Sequence, residues 1–295
     1  MNQVLSISQF ITQEINLIFS NFFSSLDSNI YSVLDDLIFI NSDILNDNFT
    51  NKILGTSSTS GLLLLCNSLL LGFILYYIIS LILSHIIIFK LQTPYQFVFK
   101  LIIIGIIINS TYDICKFLLD LNSNISLIIR SIGEELFNTS ICFSNLGNNI
   151  SNYMTDFNNN FNIFSIQGFL KSFSSIGILN LILSYSLRYI MIKIFILLFP
   201  FAILSILNEN SFYFFKSYIK SFISLLFTQS IVSLLLIILF SLDFNSNTLF
   251  SQVIFIGSIY CLSRITYFMK ELMGGISTTV YSNASSLKTL FKGGF

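Results

Sequence analysis

One uncharged apolar run constrains this fold more than any other feature: residues 61–84, GLLLLCNSLLLGFILYYIISLILS. A helix needs roughly 20 apolar residues to cross a hydrocarbon layer of about 30 Å, because backbone groups in lipid must bond within their own segment. The run satisfies that length. The whole chain is 54% hydrophobic and only 9% charged, whereas soluble domains carry about 25% charged residues. The sequence therefore predicts an integral membrane protein.

Four further stretches, 97–119, 188–207, 221–242 and 250–268, are candidates for additional spans. The stretch 97–119 is the weakest because polar residues interrupt it. A further apolar run, 173–187, directly precedes Arg188 and makes the third span too long for one crossing, yet barely long enough for a tight hairpin. We interpret it as an interfacial or protruding extension of the third helix. The predicted fold class is an all-α integral membrane protein with about five transmembrane helices plus amphipathic extramembrane helices.

The positions of the cations predict the orientation, because cytoplasmic loops are enriched in Lys and Arg. With the N-terminus outside, the outer side receives only Lys52, Lys116, Arg130 and Lys171. The inner side then holds Lys90, Lys100, Lys216, Lys220, Arg264, Lys270, Lys288 and Lys292. We expect a multi-pass protein of the cytoplasmic membrane with its N-terminus outside and its C-terminus inside.

This layout divides the chain into five parts. Residues 1–60 form an external amphipathic tail without signal-peptide features, 61–119 two spans, 120–175 a large external central region, 176–268 three spans, and 269–295 a cytoplasmic tail. Apolar residues recur at helical spacing within 4–22, 30–38 and 125–136. The stripe in 125–136 is compatible with a helix on the membrane surface and with packing on a partner.

Polar side chains inside the spans are the candidate functional residues. Ionisable groups at membrane depth cost about 2.5–3.5 kcal/mol on insertion scales, so they snorkel, pair or face a wet interior. Asp113 and Lys116 are three residues apart and can neutralise each other; their half of the span faces other helices or a water-filled cavity. Gln229 favours an interhelical hydrogen bond. The candidate channel-facing or structural polar residues are Asn109, Asp113, Lys116, Lys193 and Gln229.

The third span carries two cations and a proline. Arg188 is expected at the outer interface, where snorkelling would make it an anchor. Lys193 lies about 7.5 Å deeper, so it either snorkels as well or faces a cavity between copies. Pro200 frees a carbonyl one turn back and should kink the helix. A packing kink is favoured over a gating hinge.

Enzyme chemistry finds little support in the residues. The chain has no phosphate-binding loop and no His-Glu-x-x-His pair, and His85 is its single histidine. The cysteines are dispersed without metal-binding spacing, which favours buried thiols, although a Cys115–Cys142 disulfide stays open. A formal net charge of +0 gives no global field for nucleic acid. We expect a protein that is not an enzyme and that holds no cofactor and no metal.

Residues 188–240 resemble the core of the polytopic inner-membrane channel subunits of type IV secretion and conjugation systems, the VirB-six and TrbL group. The resembling elements are Arg188 opening a span, Pro200 within it, a short polar link ending in Lys216, and a further span that contains Gln229. The layout is similar too: an external tail, five spans, a large external central region and a cytoplasmic tail with Gly-Gly pairs.

The resemblance implies a channel component that helps move single-stranded DNA with its relaxase, or protein, across the cytoplasmic membrane. The implied partners are further copies, other secretion subunits including separate ATPases, the transient cargo and lipid. In this hypothesis copies form a ring whose wet interior includes Asp113 and Lys116, and Lys193 offers positive potential to phosphates. The alternatives are the permease subunit of an ATPase-driven small-molecule or peptide transporter, and a structural scaffold.

Overall fold

The computed structural model describes residues 10–18, 28–55, 60–84, 93–147, 166–208, 211–242 and 249–273. Among these residues the secondary structure is helical and contains no strand, which confirms the all-α class. Residues 1–9 and 19–27 of the predicted external tail, the Asn-rich part of the central region at 148–165, and the predicted cytoplasmic tail beyond 273 lie outside the described residues.

Ten helices occur within the described ranges. Short 3₁₀ turns, Ser42–Leu45 and Ser205–Leu207, follow the second and eighth of them. The helices are α1 (10–18), α2 (Ser28–Ile38), α3 (Asn48–Leu54), α4 (Gly61–Ser84), α5 (Pro94–Asn109), α6 (Thr111–Phe137), α7 (143–147), α8 (Ile166–Leu204), α9 (Phe212–Phe240) and α10 (Leu249–Leu272).

Four of these helices, α4, α8, α9 and α10, are long and apolar enough to cross a membrane. The pair α5 and α6 makes a fifth if it counts as one span, although the two helices meet at an angle of 63°. The prediction of about five spans is therefore confirmed by length and composition. The second span differs from its predicted form, because it breaks at Ser110 and α6 continues to Phe137.

Local hydrogen bonds accompany the break between α5 and α6. Asn109 Nδ2 donates to the carbonyl of Gly105 over 2.9 Å, and Thr111 Oγ1 donates to the carbonyl of Ile108 over 2.7 Å. Side chains of this type compete with the regular helix ladder for backbone groups. The polar triplet that weakens the apolar pattern of 97–119 thus marks the position where the helix changes direction.

The third span is one continuous helix of 39 residues. It contains the run 173–187, so this run extends the span and forms no hairpin with it. At 1.5 Å per residue the helix measures about 58 Å, well beyond the hydrocarbon thickness. Pro200 lies inside α8, which continues to Leu204 before the 3₁₀ turn. The kink predicted at Pro200 stays a prediction.

Two apolar clusters are arranged along α8 and α9. The first contains α8 residues from Ile192 onward and the start of α9 from Tyr218 to Leu226, together with α4 and α5. The second contains α8 residues up to Tyr185 and α9 residues from Val232 onward, together with α2 and α10. The residues of α8 and α9 that lie between the two clusters include Arg188 and Gln229, so both fall at the boundary.

Helix α6 lies along α9 and runs parallel to it. Asn122 hydrogen bonds to Gln229 over 3.1 Å, and Ser126 to Ser233 over 2.7 Å. Two turns further along α6, a Cβ on Gly133 would lie 2.8 Å from Ile237 Cγ1. Small residues permit this close approach. The first part of the central region that the sequence places outside the membrane, residues 120–137, therefore packs beside a candidate span.

The described part of the predicted external tail beyond α1 packs against the helical bundle. We call residues 28–54, which comprise α2, the 3₁₀ turn and α3, the N-terminal segment. Its residues Leu34 and Ile38 are buried in the second cluster, and Ile44 and Leu45 in the first. Asp35 accepts hydrogen bonds from the backbone N–H groups of Phe143 and Ser144 over 2.8 and 3.0 Å, at the start of α7. The segment is thus an integral part of the packed structure.

Candidate functional site

A buried polar layer separates the two apolar clusters. We define the polar layer as Arg188 of α8, Gln229 and Ser233 of α9, and Asn122 and Ser126 of α6. All five are less than 5% exposed. Buried polar groups are costly unless they are hydrogen-bonded, so the partners of this layer determine what it contributes to the structure.

Arg188 is 1% exposed and contacts two backbone carbonyls. Its Nε donates to Leu225 O over 2.9 Å and its Nη1 to Ile38 O over 3.0 Å. Its Nη2 is buried without a hydrogen-bond partner. The expected snorkelling anchor is therefore wrong, because the side chain extends into the bundle and not toward the interface.

The position of Ile38 explains what Arg188 binds. Ile38 is the last residue of α2, and the last carbonyls of a helix have no partner within it. These carbonyls also carry the negative end of the helix dipole, which favours a nearby cation. Arg188 thus caps α2 from a neighbouring helix.

Gln229 joins three parts of the chain. Its Oε1 accepts from the backbone N–H of Ile40 over 3.2 Å and from Asn122 Nδ2 over 3.1 Å. The side chain itself is 1% exposed. Gln229 thus makes the interhelical hydrogen bond that the sequence favours, and it adds a second bond to the N-terminal segment.

Lys193 pairs with an acidic residue of the N-terminal segment. Its Nζ lies 2.9 Å from Asp47 Oδ2, with the two side chains 24% and 45% exposed, and 5.1 Å from the centre of the Tyr189 ring. The hydrogen bond from Lys193 lowers the pKa of Asp47, and the Phe49 N–H lowers it further. A lowered pKa means that this pairing contributes stability at neutral pH, and that the contribution is lost as the pH falls through the lowered value.

A polar stripe follows the outer face of α6. We define it as Asp113, Lys116, Asp120 and Asn124, whose spacing places them on one side of the helix. Asp120 is half-buried and the other three are exposed. Asp113 and Lys116 form no ion pair with each other, so the mutual neutralisation that their spacing allows does not occur.

The level of the polar stripe along the helical bundle follows from its neighbours. Asn122 bonds to Gln229 near the middle of α9, and Asp120 lies half a turn away on α6. In lipid at that depth, each charged group would cost about 2.5–3.5 kcal/mol. At membrane depth the stripe would therefore require water or a polar partner against it.

A second exposed stripe on α6 is apolar. Phe117, Leu121, Ile128 and Ile132 are between 44% and 65% exposed. They lie between the polar stripe and the face that packs on α9. The helix thus presents one face to the bundle, one that suits lipid, and one that suits water.

Asn109 belongs to the contact between α4 and α5. It accepts a hydrogen bond from Asn67 Nδ2 over 3.1 Å and donates to Gly105. Asn109 was predicted from the sequence as a polar residue inside a span, whereas Asn67, Asp47, Asn122 and Ser126 were not predicted. The sequence does contain a signal for Asn122 and Ser126. They are four residues apart, which is also the spacing of Gln229 and Ser233.

Disulfides and metal sites would draw on the cysteines and the described acidic residues. Cys66, Cys115, Cys142 and Cys261 are all free thiols, so the open alternative of a Cys115–Cys142 disulfide is not realised. In the described part of the chain, no three His, Cys, Asp or Glu side chains lie close enough together to hold a metal ion.

Comparison of the chain with known families, with curated proteins and with solved structures gives no match. The candidate site consists of a buried polar layer that holds the N-terminal segment, beside a helix with an outward-facing polar stripe.

Proposed function

We propose that this protein is a non-enzymatic channel component of a type IV secretion or conjugation machine in the cytoplasmic membrane. In this role it helps move single-stranded DNA with its relaxase, or protein, across that membrane. The observation that carries the proposal is the polar stripe of α6, which is level with the middle of α9 and in which Asp113 and Lys116 are exposed and Asp120 is half-buried.

A ring of several copies would place water against the polar stripe. If each copy turns this face toward a common axis, Asp113, Lys116 and Asp120 line a wet passage instead of meeting lipid. The neighbouring apolar stripe of α6 would then meet lipid or an adjacent copy. A single copy in lipid would pay the full cost of exposing these charges.

Lys193 has a different role in this proposal from the one the sequence suggested. Its ammonium group is paired with Asp47 at 2.9 Å, so it offers little free positive potential to a phosphate backbone. The lining is assigned to α6 alone, and Lys193 to the attachment of the N-terminal segment.

Isolation of the intact protein from its native membrane tests the proposal. We expect it to co-purify with further copies of itself, with a secretion-type ATPase and with a relaxase or secreted protein. A control purification uses a tagged multi-pass protein from the same membrane. Recovery of the chain with none of these partners would overturn the proposal.

The break between α5 and α6 favours a second candidate, the permease subunit of an ATPase-driven transporter. Discontinuous helices commonly form the substrate sites of transporters, and the 63° bend lies at polar Asn109, Ser110 and Thr111. This candidate predicts a nucleotide-binding partner whose ATP hydrolysis responds to a small solute. The same purification therefore distinguishes the two functions.

We propose an orientation with the N-terminus outside and the C-terminus inside. The contact of Asp35 with Phe143 and Ser144 supports a shared side for the N-terminal segment and the central region, and the distribution of Lys and Arg along the chain assigns that side to the outside. Reporter fusions at the N-terminus and residue 150 are expected to report the outside, and fusions at residue 212 and the C-terminus the inside. Both chain ends in one compartment would contradict the orientation.

A further inference from the structure

The polar layer binds backbone atoms of the N-terminal segment. Arg188 donates to Ile38 O, and Gln229 accepts from the Ile40 N–H. Both contacted atoms are backbone atoms, two residues apart, where α2 ends and the chain becomes extended. Arg188 and Gln229, the two largest side chains of the layer, thus bond to the backbone of the segment and not to each other.

Further contacts complete the attachment of the segment. Asp47 pairs with Lys193, and Tyr112 Oη donates to Asn46 Oδ1 over 3.2 Å. Ile44 and Leu45 belong to the same apolar cluster as Cys115 and Cys66. The cleft between α6, α8 and α9 is therefore occupied by residues 28–54 through backbone, ionic and apolar contacts.

This attachment leaves polar groups unsatisfied. Arg188 Nη2 in the cleft and Thr50 Oγ1 in the segment are buried without hydrogen-bond partners. Buried groups that lose water and gain no partner oppose the docked state. The ion pair between Lys193 and Asp47 is partly exposed, and exposed pairs contribute little. The contacts that hold the segment are thus opposed by the desolvation that docking requires.

We propose that residues 28–54 are a releasable plug, held in cis in a polypeptide-binding cleft formed by Arg188, Gln229 and Lys193. Release exposes Arg188, Gln229 and Asn122 at the same depth as the polar stripe of α6. The occupant is this segment of the same chain, and the recognised chemistry is a helix C-terminus followed by extended backbone. The proposal goes beyond the channel function and does not depend on what the protein transports.

The test measures how often the cleft opens, with Cys115 as the reporter. Cys115 is fully buried in the same apolar cluster as Ile44 and Leu45, and the 3₁₀ turn that carries those two residues contacts α6. The full chain carries Cys66→Ser, Cys142→Ser and Cys261→Ser, and membrane vesicles are treated with N-ethylmaleimide. Asp47→Asn is expected to raise the labelling rate of Cys115 about two- to fivefold, the range of an exposed ion pair.

Three further variants decide whether the ion pair causes any increase. The double variant Asp47→Lys with Lys193→Asp restores the ion pair but not the acceptor for the Phe49 N–H at the start of α3, so it is expected to label more slowly than Asp47→Lys alone. Asp36→Asn, which removes an exposed carboxylate of the same segment, is expected to leave the rate unchanged. An unchanged rate in Asp47→Asn, a double variant that labels as fast as Asp47→Lys alone, or faster labelling only in protein that no longer elutes as a single species in detergent, would each overturn the proposal.

Discussion

Replacing Gln229 with leucine is expected to lower the free energy of unfolding by about 3 kcal/mol, because two buried donors lose their acceptor. These donors are the Ile40 N–H and Asn122 Nδ2, which both point at Gln229 Oε1. Each unsatisfied buried group costs about 1–3 kcal/mol. Leucine matches the size of glutamine approximately, so the loss arises from hydrogen bonding and not from a cavity.

Thermal unfolding in detergent measures this loss, followed with a thiol-reactive dye. The chain has no Trp. In a Cys142→Ser, Cys261→Ser background, which removes the half-buried and the exposed thiol, the remaining Cys66 and Cys115 are buried in the folded state, so dye reaction reports unfolding. The expected decrease in Tm is roughly 5–10 °C. A variant that melts within a degree of the unaltered protein would show that Gln229 does not hold the N-terminal segment.

Ser230→Ala is the matched control for Gln229→Leu. Ser230 is the next residue on α9, is equally buried, and its Oγ has no hydrogen-bond partner. Removing an unsatisfied hydroxyl should leave the Tm unchanged or slightly raise it. Equal losses from both replacements would indicate that any change in this part of α9 is harmful, and the assignment to Gln229 would fail.

Replacing Asp113 and Lys116 together with leucine is expected to reduce transfer about 100-fold, because the lining loses its charges and becomes hydrophobic enough to exclude water. The net charge is unchanged by this pair of replacements. Insertion should be normal or improved, since leucine suits the membrane better than either residue. The measurements are mating or secretion frequency and the amount of protein in isolated membranes.

The neighbouring apolar stripe provides the control. Ile128→Ala with Ile132→Ala alters exposed residues of the same helix and is expected to keep transfer within a few-fold of normal. In separate single-cysteine variants, a water-soluble thiol reagent should label positions 113 and 116 and spare 117 and 121. Normal transfer in the double-leucine variant, or equal labelling of all four positions, would reject the wet lining.

The extent of α4 could be predicted from the sequence, whereas the path of the second span could not. The run 61–84 coincides with helix Gly61–Ser84, because an uninterrupted apolar stretch admits few structures other than a spanning helix. In 97–119 the polar residues signalled a disturbance. Whether these residues would bend the helix, bond to another helix or line a lumen depended on their contacts with α4 and α9. The sequence of 97–119 does not specify those contacts.

The predictions for Gln229 and Arg188, two polar residues inside apolar runs, had different outcomes. Gln229 could be assigned an interhelical bond because an amide inside an apolar helix has few other options. Arg188 could not be placed, because a long cationic side chain is equally compatible with snorkelling and with burial. The presence of the free carbonyl of Ile38 next to α8 decides between them, and that contact joins residues 150 positions apart.

By itself, the sequence determined that the chain is helical, that it belongs in a membrane, and where most of its spans lie, since these properties follow from runs of apolar residues that satisfy their own backbone. Only the tertiary structure decided that the N-terminal segment is docked in the bundle, that Arg188 is buried, and that the polar stripe of α6 lies beside α9. Those outcomes depend on backbone and side-chain groups that become neighbours only when distant helices pack, and no local pattern records such neighbours.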